Sequence, residues 1–262
     1  MRRPLAALAA SFCLGLCGAS THAQWWLDVP ANRVPRTADG SPDLAAPTPR
    51  TAAGRPDLSG VWEPVKTYSR DLTQDLSPPG GEVPFQPWAK ALADERADGS
   101  QSYDDPPAHC LPQGIPRLGG APAPWKIVQT DDLIVLVYEA FTLWRQVFMD
   151  GRRLAEDVQP TWLGYSTGRW DGDTLVVETR GFNGKAWLDQ VGKPSTEQLR
   201  VIERYRRRDY GHLEIEITID DPGAYTRPWT VLQRATVLPE TDLLEFICNE
   251  NNRDLQHLPG RD

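Results

Sequence analysis

Two β-prone runs flank an Asp-Gly pair in the segment Arg169-Trp170-Asp171-Gly172-Asp173-Thr174-Leu175-Val176-Val177-Glu178-Thr179. An Asp-Gly pair between alternating apolar residues is the strongest short-range signal for a β-hairpin. Similar apolar runs, separated by turn residues, lie on both sides of it at residues 125–129, 133–141, 145–149, 199–207, 213–219, 229–237 and 243–248. About ten strands without intervening helices predict a mainly β antiparallel meander that closes into a lipocalin-like barrel. A two-sheet β-sandwich is the alternative.

The composition of the 262 residues supports the β assignment and bears on the choice of partner. Pro (24) and Gly (21) are abundant and Trp (10) far exceeds Met (2), which is typical of a turn-rich β protein and not of a helical bundle. The chain carries 28 Lys and Arg against 36 Asp and Glu, a formal net charge of −8. Because phosphate backbones are bound through basic patches, this balance argues against a nucleic-acid partner.

The N-terminus has the pattern of a signal peptide over residues 1–23. Two arginines precede an apolar stretch over residues 5–18, and Ala23 provides a small residue for cleavage before Gln24. We therefore expect a periplasmic or secreted protein. A lipoprotein anchored at Cys17 is the alternative, although the bulky Leu16 fits a lipobox poorly. No other apolar run approaches the ~20 residues of a transmembrane helix.

Two cysteines, Cys110 and Cys248, remain after removal of the signal peptide. In an exported chain, two such cysteines are expected to form a disulfide. A pair of buried free thiols is the alternative.

The first half of the chain is Pro-rich and is predicted to be largely irregular. Residues 24–57 form a leader in which the sequence of residues 36–44 is echoed at 50–58. Two copies are too few for a solenoid, so the leader is expected to hug the surface or to be mobile. A single β domain follows over residues 58–250, with one helix at 87–97, and residues 251–262 form a tail.

Strand alternation places two carboxylates among apolar residues. Glu203 shares a strand face with Val201 and Tyr205, and Glu139 extends the face of the 133–137 run. A buried carboxylate is costly unless it is paired. Each is therefore expected either to form a core salt bridge or to act as an acid, base or ligand-orienting group in a cavity. Arg145 is the cation expected to orient a ligand.

Two motifs are interpreted as structural. The segment Gly164-Tyr165-Ser166-Thr167-Gly168 matches the nucleophile elbow of α/β-hydrolases, but that elbow needs a strand followed by a helix. Because a β-hairpin follows here, Ser166 is predicted to be a turn residue. Asp104, Asp105 and His109 lie together in a Pro-rich loop, where aspartates are usually turn formers, so no metal site is predicted. No sequence motif indicates a cofactor.

Tryptophan is the residue type in greatest excess. Several of the ten lie in or beside predicted strands, where they fill a core or line a pocket for an apolar, aromatic or sugar-like molecule. The candidates for ligand contact are Trp162, Trp170, Trp187 and Trp229.

Several motifs together resemble a family of uncharacterised exported bacterial proteins, common in acidobacteria and proteobacteria. The matching pieces are residues 56–62 (PDLSGVW), residues 110–117 (CLPQGIPR), residues 170–179 (WDGDTLVVET) and shorter segments up to residue 248. The resemblance implies membership over most of residues 56–250 but no established reaction. The family often carries a His-Ser pair where this chain has Ser195-Thr196. If that histidine is catalytic in relatives, this chain has lost it or works differently.

These observations predict an exported β-barrel with an aromatic-lined cavity for a small organic molecule. As an enzyme it would use acid/base chemistry, as a cofactor-independent lyase, isomerase or hydrolase. The candidate acid/base residues are Glu203, Glu139, Asp189 and His109. The alternative is a non-catalytic periplasmic ligand-binding or envelope module, in which the carboxylates only pair with arginine.

Overall fold

Nine β-strands run consecutively around a closed barrel in the part of the chain that the structure describes. This structure is a computed structural model, and it describes residues 34–65, 71–154, 157–250 and 252–260. The strands are β1 (Gly60–Pro64), β2 (Trp125–Gln129), β3 (Leu133–Tyr138), β4 (Leu143–Phe148), β5 (Tyr165–Asp171), β6 (Thr174–Arg180), β7 (Arg200–Arg207), β8 (His212–Asp220) and β9 (Trp229–Val237). Each strand pairs with the next, and β1 pairs with β9 to complete the ring. The predicted mainly β barrel is confirmed.

One strand pair departs from the predicted antiparallel meander. Strands β4 and β5 are parallel, with Val147 opposite Ser166 and Phe148 opposite Thr167. A parallel pair needs a crossover of roughly a dozen residues or more, because the chain must return to the end where it started. Residues 149–164 supply that length. Ser166 consequently lies within β5, and its assignment to a turn was wrong.

The predicted strand at 243–248 is also wrong. This apolar segment has no ladder partner among the described residues and lies against the β3–β4 connection. The Leu244 backbone N–H donates to Glu139 Oε2 at 2.8 Å, and the Thr142 hydroxyl donates to the Phe246 carbonyl. The predicted helix is confirmed as α1 (Pro87–Arg96).

The sequence echo in the leader corresponds to two similar turns. Arg36 Nη1 donates to the Gly40 carbonyl at 3.1 Å, and Arg50 Nη1 donates to the Gly54 carbonyl at 2.8 Å. In each copy the arginine also forms an isolated β-bridge with the proline six residues later. Arg50 continues outward to a bidentate ion pair with Asp173 in the β5–β6 turn, with N–O distances of 3.0 and 2.6 Å. The predicted signal peptide lies outside the described residues.

The described part of the leader docks on the barrel end that carries the β5–β6 and β7–β8 turns, which we call the hairpin end. The Tyr210 and Gly211 backbone N–H groups donate to the Ala46 and Leu44 carbonyls at 2.7 and 2.8 Å. Beneath them Arg207 is buried, with its guanidinium 4.9 Å from a tryptophan ring centroid. Residues 34–57 therefore lie along the barrel surface, which is one of the two alternatives that the sequence left open for the leader.

The opposite end of the barrel, the loop end, carries the long segments 71–124, 181–199 and 221–228. Residues 115–120, the plug segment, close it, with Ile115 and Leu118 buried at 3% and 1% exposure. Gly114 enters the plug at φ +74°, where a side chain is strained, and a Cβ built on it would lie 2.5 Å from the Ala186 Cβ. Glycine is therefore needed where the two loop-end segments meet.

A disulfide between Cys110 and Cys248 joins the loop end to the segment after β9, as predicted. Within the described ranges, no helix combines the length and the apolar character required to cross a bilayer.

Candidate functional site

Glu203 lies inside the barrel in a bidentate ion pair with Arg145. Strand alternation points both side chains inward from β7 and β4, and both residues are 3% exposed. Arg145 Nη1 donates to Glu203 Oε1 at 3.1 Å, while Nη2 donates to Glu203 Oε2. The predicted inward position of Glu203 is confirmed, and the pairing agrees with the core salt bridge that the sequence left open.

The remaining polar atoms of the pair are also satisfied. Arg145 Nε donates to Ser166 Oγ at 2.9 Å, and Nη2 donates to Thr179 Oγ1 at 2.6 Å. The Tyr205 hydroxyl donates to Glu203 Oε1 at 2.8 Å. A buried charge pair is tolerated when such additional hydrogen bonds satisfy it. The Ser166 hydroxyl is thus part of this buried network.

Burial and the ion pair together shift the pKa values of the groups at this site. Burial lowers the pKa of Arg145, but the Glu203 carboxylate together with the Tyr205 and Tyr138 hydroxyls outweighs burial, so the net shift of the pKa is upward. Burial raises the pKa of Tyr138 to about 12, with Arg145 opposing and Glu203 reinforcing the shift. Burial likewise raises the pKa of Tyr205 well above its usual range. Both phenols therefore stay protonated at neutral pH, and the Tyr205 hydroxyl donates to Glu203.

Little space remains beside the ion pair. The cavity at Glu203 has a volume of about 10 Å³ and is lined by the plug segment and by inward residues of the strands, including Leu136, Tyr138, Tyr205, Ile217 and Gln233. A volume of ~10–15 Å³ holds about one water molecule. The interior at Glu203 therefore does not accommodate an organic ligand, because large side chains and the plug fill it.

Glu139 does not face the barrel interior, which corrects the predicted strand phase. Within β3 it is Ile134, Leu136 and Tyr138 that are buried, and the chain leaves the strand before Glu139. The Glu139 carboxylate instead accepts the Leu244 N–H outside the barrel. Its side chain is thus separated from Glu203 by the strand wall.

Asp189 lies in the loop end and is fully buried. Its Oδ2 accepts hydrogen bonds from the Leu72 N–H at 2.9 Å and from Lys193 Nζ at 2.8 Å. Lys193 Nζ also donates to Asp71 Oδ1 at 2.7 Å. These bonds fasten two loop-end segments together and leave Asp189 engaged with the protein.

His109 is exposed at the end of a short 3₁₀ helix (Pro106–His109). Its Nε2 lies 2.6 Å from the Tyr103 carbonyl oxygen, and the two rings meet edge to face at 4.7 Å between centroids. Among the described residues, no three His, Cys, Asp or Glu side chains form a group that could hold a metal ion.

The candidate tryptophans are spread over the molecule and do not line one pocket. Trp229 is buried at the start of β9, and Trp162 and Trp170 are half-buried in the crossover and in β5. Trp187 is 5% exposed and lies under Arg96, whose Cζ is 4.3 Å from the ring centroid. Of the four, Trp187 borders the cleft described next.

A cleft of about 420 Å³, the loop-end cleft, opens outside the plug segment. Its polar wall is formed by Arg96, Ser102, Asp105, Gln113, Arg117 and Gln190, and its apolar wall includes Pro107, Ala108, Pro122, Trp187 and Leu258. Ligand sites typically measure ~300–1,000 Å³ and combine an apolar wall with a few placed polar groups. The cleft has both properties.

One cation of the cleft is neutralised. Arg117 Nη1 and Nη2 donate to Asp105 Oδ1 and Oδ2, each at 2.7 Å, and the two side chains are 8% and 12% exposed. A planar fork of this kind holds both groups in one orientation. The pair therefore forms a rigid floor of the cleft, in which the plug segment contributes Arg117.

The second cation, Arg96, is not neutralised by a neighbour. It ends α1, and Gly192 at φ +88° makes room for its stem, because a Cβ there would lie 2.4 Å from Arg96 Cβ. Arg96 Nη1 donates to the Gly192 carbonyl at 3.2 Å, whereas Nε is buried without a hydrogen-bond partner. In the described part of the chain no carboxylate lies within 4.0 Å of its guanidinium. Gln113 Oε1 is likewise buried without a partner.

A larger groove of about 600 Å³ lies along residues 158–222. Its two arginines, Arg180 and Arg200, both form ion pairs with Glu178, at 2.6 and 3.0 Å. Both arginines of the groove are thus paired with a carboxylate, whereas Arg96 in the loop-end cleft is not, within the described residues.

Apart from Trp187, the residues of the cleft were not identified as a site from the sequence. Gln113 and Arg117 lie within the 110–117 motif, and Asp105 was considered only as a metal ligand. The one signal in the sequence was this motif, because it places the Gln113 amide and the Arg117 guanidinium in a turn that contains Pro and Gly. Comparison with protein-family models, curated proteins and solved structures gives no match to this chain.

Proposed function

We propose that this chain is an exported small-molecule-binding barrel whose ligand occupies the loop-end cleft. The observation that carries the proposal is Arg96, a guanidinium that lies on Trp187 at the cleft wall and forms no ion pair within 4.0 Å among the described residues. Charged groups held in desolvated surroundings without a partner are costly, and they concentrate at binding sites. Export is supported by the Cys110–Cys248 disulfide, which is typical of an oxidising compartment.

Binding in the cleft is proposed in preference to acid/base catalysis inside the barrel. Glu203 is saturated by Arg145 and Tyr205, and only about 10 Å³ of space adjoins it. A general acid or base must reach the proton it transfers, directly or through one water. The buried pair is better explained as a structural element beneath the plug.

The test is a screen of small organic molecules that is read at two tryptophans. Indole N–H signals of the ¹⁵N-labelled protein are assigned with Trp187→Phe and Trp144→Phe variants. Trp144 is 62% exposed on the outer barrel wall and serves as the matched control. Compounds bound in the cleft should shift the Trp187 signal and leave the Trp144 signal unchanged. The proposal is overturned if no compound shifts Trp187, or if hits shift Trp144 equally.

A further inference from the structure

We infer that residues 252–260 of the C-terminal tail, which we call the strap, are a movable wall of the loop-end cleft that opens to admit its ligand. The inference rests on the proposed function and adds the route by which the ligand enters. One side chain of the strap, Leu258, belongs to the apolar wall of the cleft. Displacement of the strap would therefore widen the cleft.

The near end of the strap is held covalently. Cys248, which precedes the strap in the chain, is joined by the disulfide to Cys110. Cys110 directly follows the 3₁₀ helix Pro106–His109, which contributes to the apolar wall of the cleft. Asn252 Nδ2 also lies 3.7 Å from Cys110 Sγ. Because the disulfide keeps the strap beside the cleft, closure of its far end is an intramolecular step that a high effective concentration favours.

The far end of the strap is held by backbone contacts. The Tyr103 N–H donates to the Pro259 carbonyl at 2.9 Å. Gly260 has φ +87°, and a Cβ built on it would lie 2.8 Å from the Ser100 carbonyl oxygen. Glycine is therefore needed for the strap to lie this close to the segment that carries Ser100 and Tyr103.

Little apolar surface adds to these contacts. Leu255 and Leu258 are half-buried, while the other residues of the strap are exposed. A cavity of about 340 Å³ separates the middle of the strap from Tyr103. Segments with few buried apolar contacts open locally while the rest of the fold stays closed. A covalently held near end and a lightly held far end together form a hinged lid.

The experiment loosens the far end with two single substitutions in the full protein. Leu258→Ser removes an apolar contact, and Gly260→Ala introduces a Cβ against the Ser100 carbonyl without changing a residue of the cleft wall. The control for the first is Leu232→Ser, at a half-buried leucine on β9. The control for the second is Gly54→Ala, at a glycine that also has a positive φ but has nothing within 4 Å of a built Cβ.

Hydrogen exchange at the Tyr103 amide reports on opening of the far end. The Ser102 and Asp104 amides are the internal reference, because their acceptors are the Gly99 and Gln101 carbonyls and not the strap. Either substitution in the strap should accelerate exchange at Tyr103 about 10-fold, since a half-buried leucine and a strained alanine each have an effect of this order. The reference amides should be unchanged, and the control variants should leave Tyr103 unchanged.

A second readout measures access to the cleft. The neutral nitroxide TEMPOL is added to the ¹⁵N-labelled protein, and the paramagnetic relaxation of the Trp187 and Trp144 indole N–H signals is compared. Both strap variants should increase the relaxation of Trp187, which borders the cleft, and leave that of Trp144 unchanged. Agreement between the two variants is required, because Leu258→Ser by itself also shortens a side chain of the cleft wall.

Three results would contradict the inference. The first is unchanged exchange at Tyr103 in the strap variants. The second is equal acceleration of the reference amides, because the strap and its docking segment would then open as one unit. The third is unchanged relaxation of Trp187. If one strap variant does not fold, the other decides.

These readouts use no ligand, so they fail independently of the compound screen. A strap that stays closed leaves the cleft as a binding site if the screen yields compounds that shift Trp187. A screen without such compounds overturns the proposed function, and with it the ligand that the strap would admit, however the strap behaves.

Discussion

Replacing Glu203 with glutamine should lower the free energy of unfolding by about 3–5 kcal/mol. The substitution preserves size but removes the negative charge from a site in which Arg145 has a side chain only 2% exposed. Arg145 would then be a buried cation without a counter-ion, since its other hydrogen-bond partners are the neutral hydroxyls of Ser166, Thr179 and Tyr138. Breaking one side of a buried pair costs more than the pair contributes, because the remaining charge is stranded.

The assay is urea unfolding followed by tryptophan fluorescence. A loss of ~3–5 kcal/mol should move the midpoint to lower urea while the slope m stays constant. In thermal scans it corresponds to a drop of about 6–20 °C for a domain of this size. The control is Glu216→Gln, because Glu216 is exposed on the outer face of β8. That change should stay within ~0.5 kcal/mol of the parent.

A double variant tests whether the unpaired charge causes the loss of stability. Removing both partners, with Arg145→Met and Glu203→Leu together, should recover most of the loss, since an apolar pair of similar volume leaves no stranded ion. If Glu203→Gln unfolds within ~1 kcal/mol of the parent, the buried pair does not hold the barrel interior as argued, and the reasoning is refuted.

Three further changes probe the remaining parts of the fold. Replacing Cys110 and Cys248 with serine should cost ~3–5 kcal/mol in urea melts, because the bridge closes a long loop; superimposable melts would contradict this. Tyr138, with its pKa raised to about 12, should deprotonate late by phenolate absorbance. Because the pKa of an unfolded tyrosine is ~10, stability should fall as pH rises from about 10 to about 12, and a flat profile would count against it. Gly114→Ala should cost ~1–3 kcal/mol by calorimetry, while Gly81→Ala, where a Cβ would make only an ordinary contact, should be nearly neutral.

Sequence alternation located the inward residues where the two faces of a strand differ in polarity. In β8 the buried residues Leu213, Ile215 and Ile217 alternate with polar residues, so the facing was readable. In β3 both faces are apolar, so the alternation of side chains did not show which face points into the barrel. The wrong phase assigned to Glu139 follows from this ambiguity, and so does its mistaken position inside the barrel.

The candidate site was harder to predict because most of its residues lie on segments without regular secondary structure. Arg96 and Trp187 are far apart in sequence and meet only through the packing of α1 on the 181–199 segment. Hydrophobic periodicity carries no information about such a contact. The strand prediction at residues 243–248 was wrong for a related reason. Its apolar side chains signalled burial, but they pack on the barrel wall and do not pair with a strand.

The ring of strands also imposes an order of assembly. Hairpins such as β5–β6 and β8–β9 join neighbouring residues and can form within microseconds, whereas the β1–β9 seam joins Trp62 to Val237 across the whole domain. Until β9 arrives, the sheet is an open ribbon with bare edges at β1 and β8. Bare edges are templates for intermolecular pairing. A chain that ends before Trp229 should therefore aggregate, and it would also lack Cys248 and with it the disulfide to Cys110.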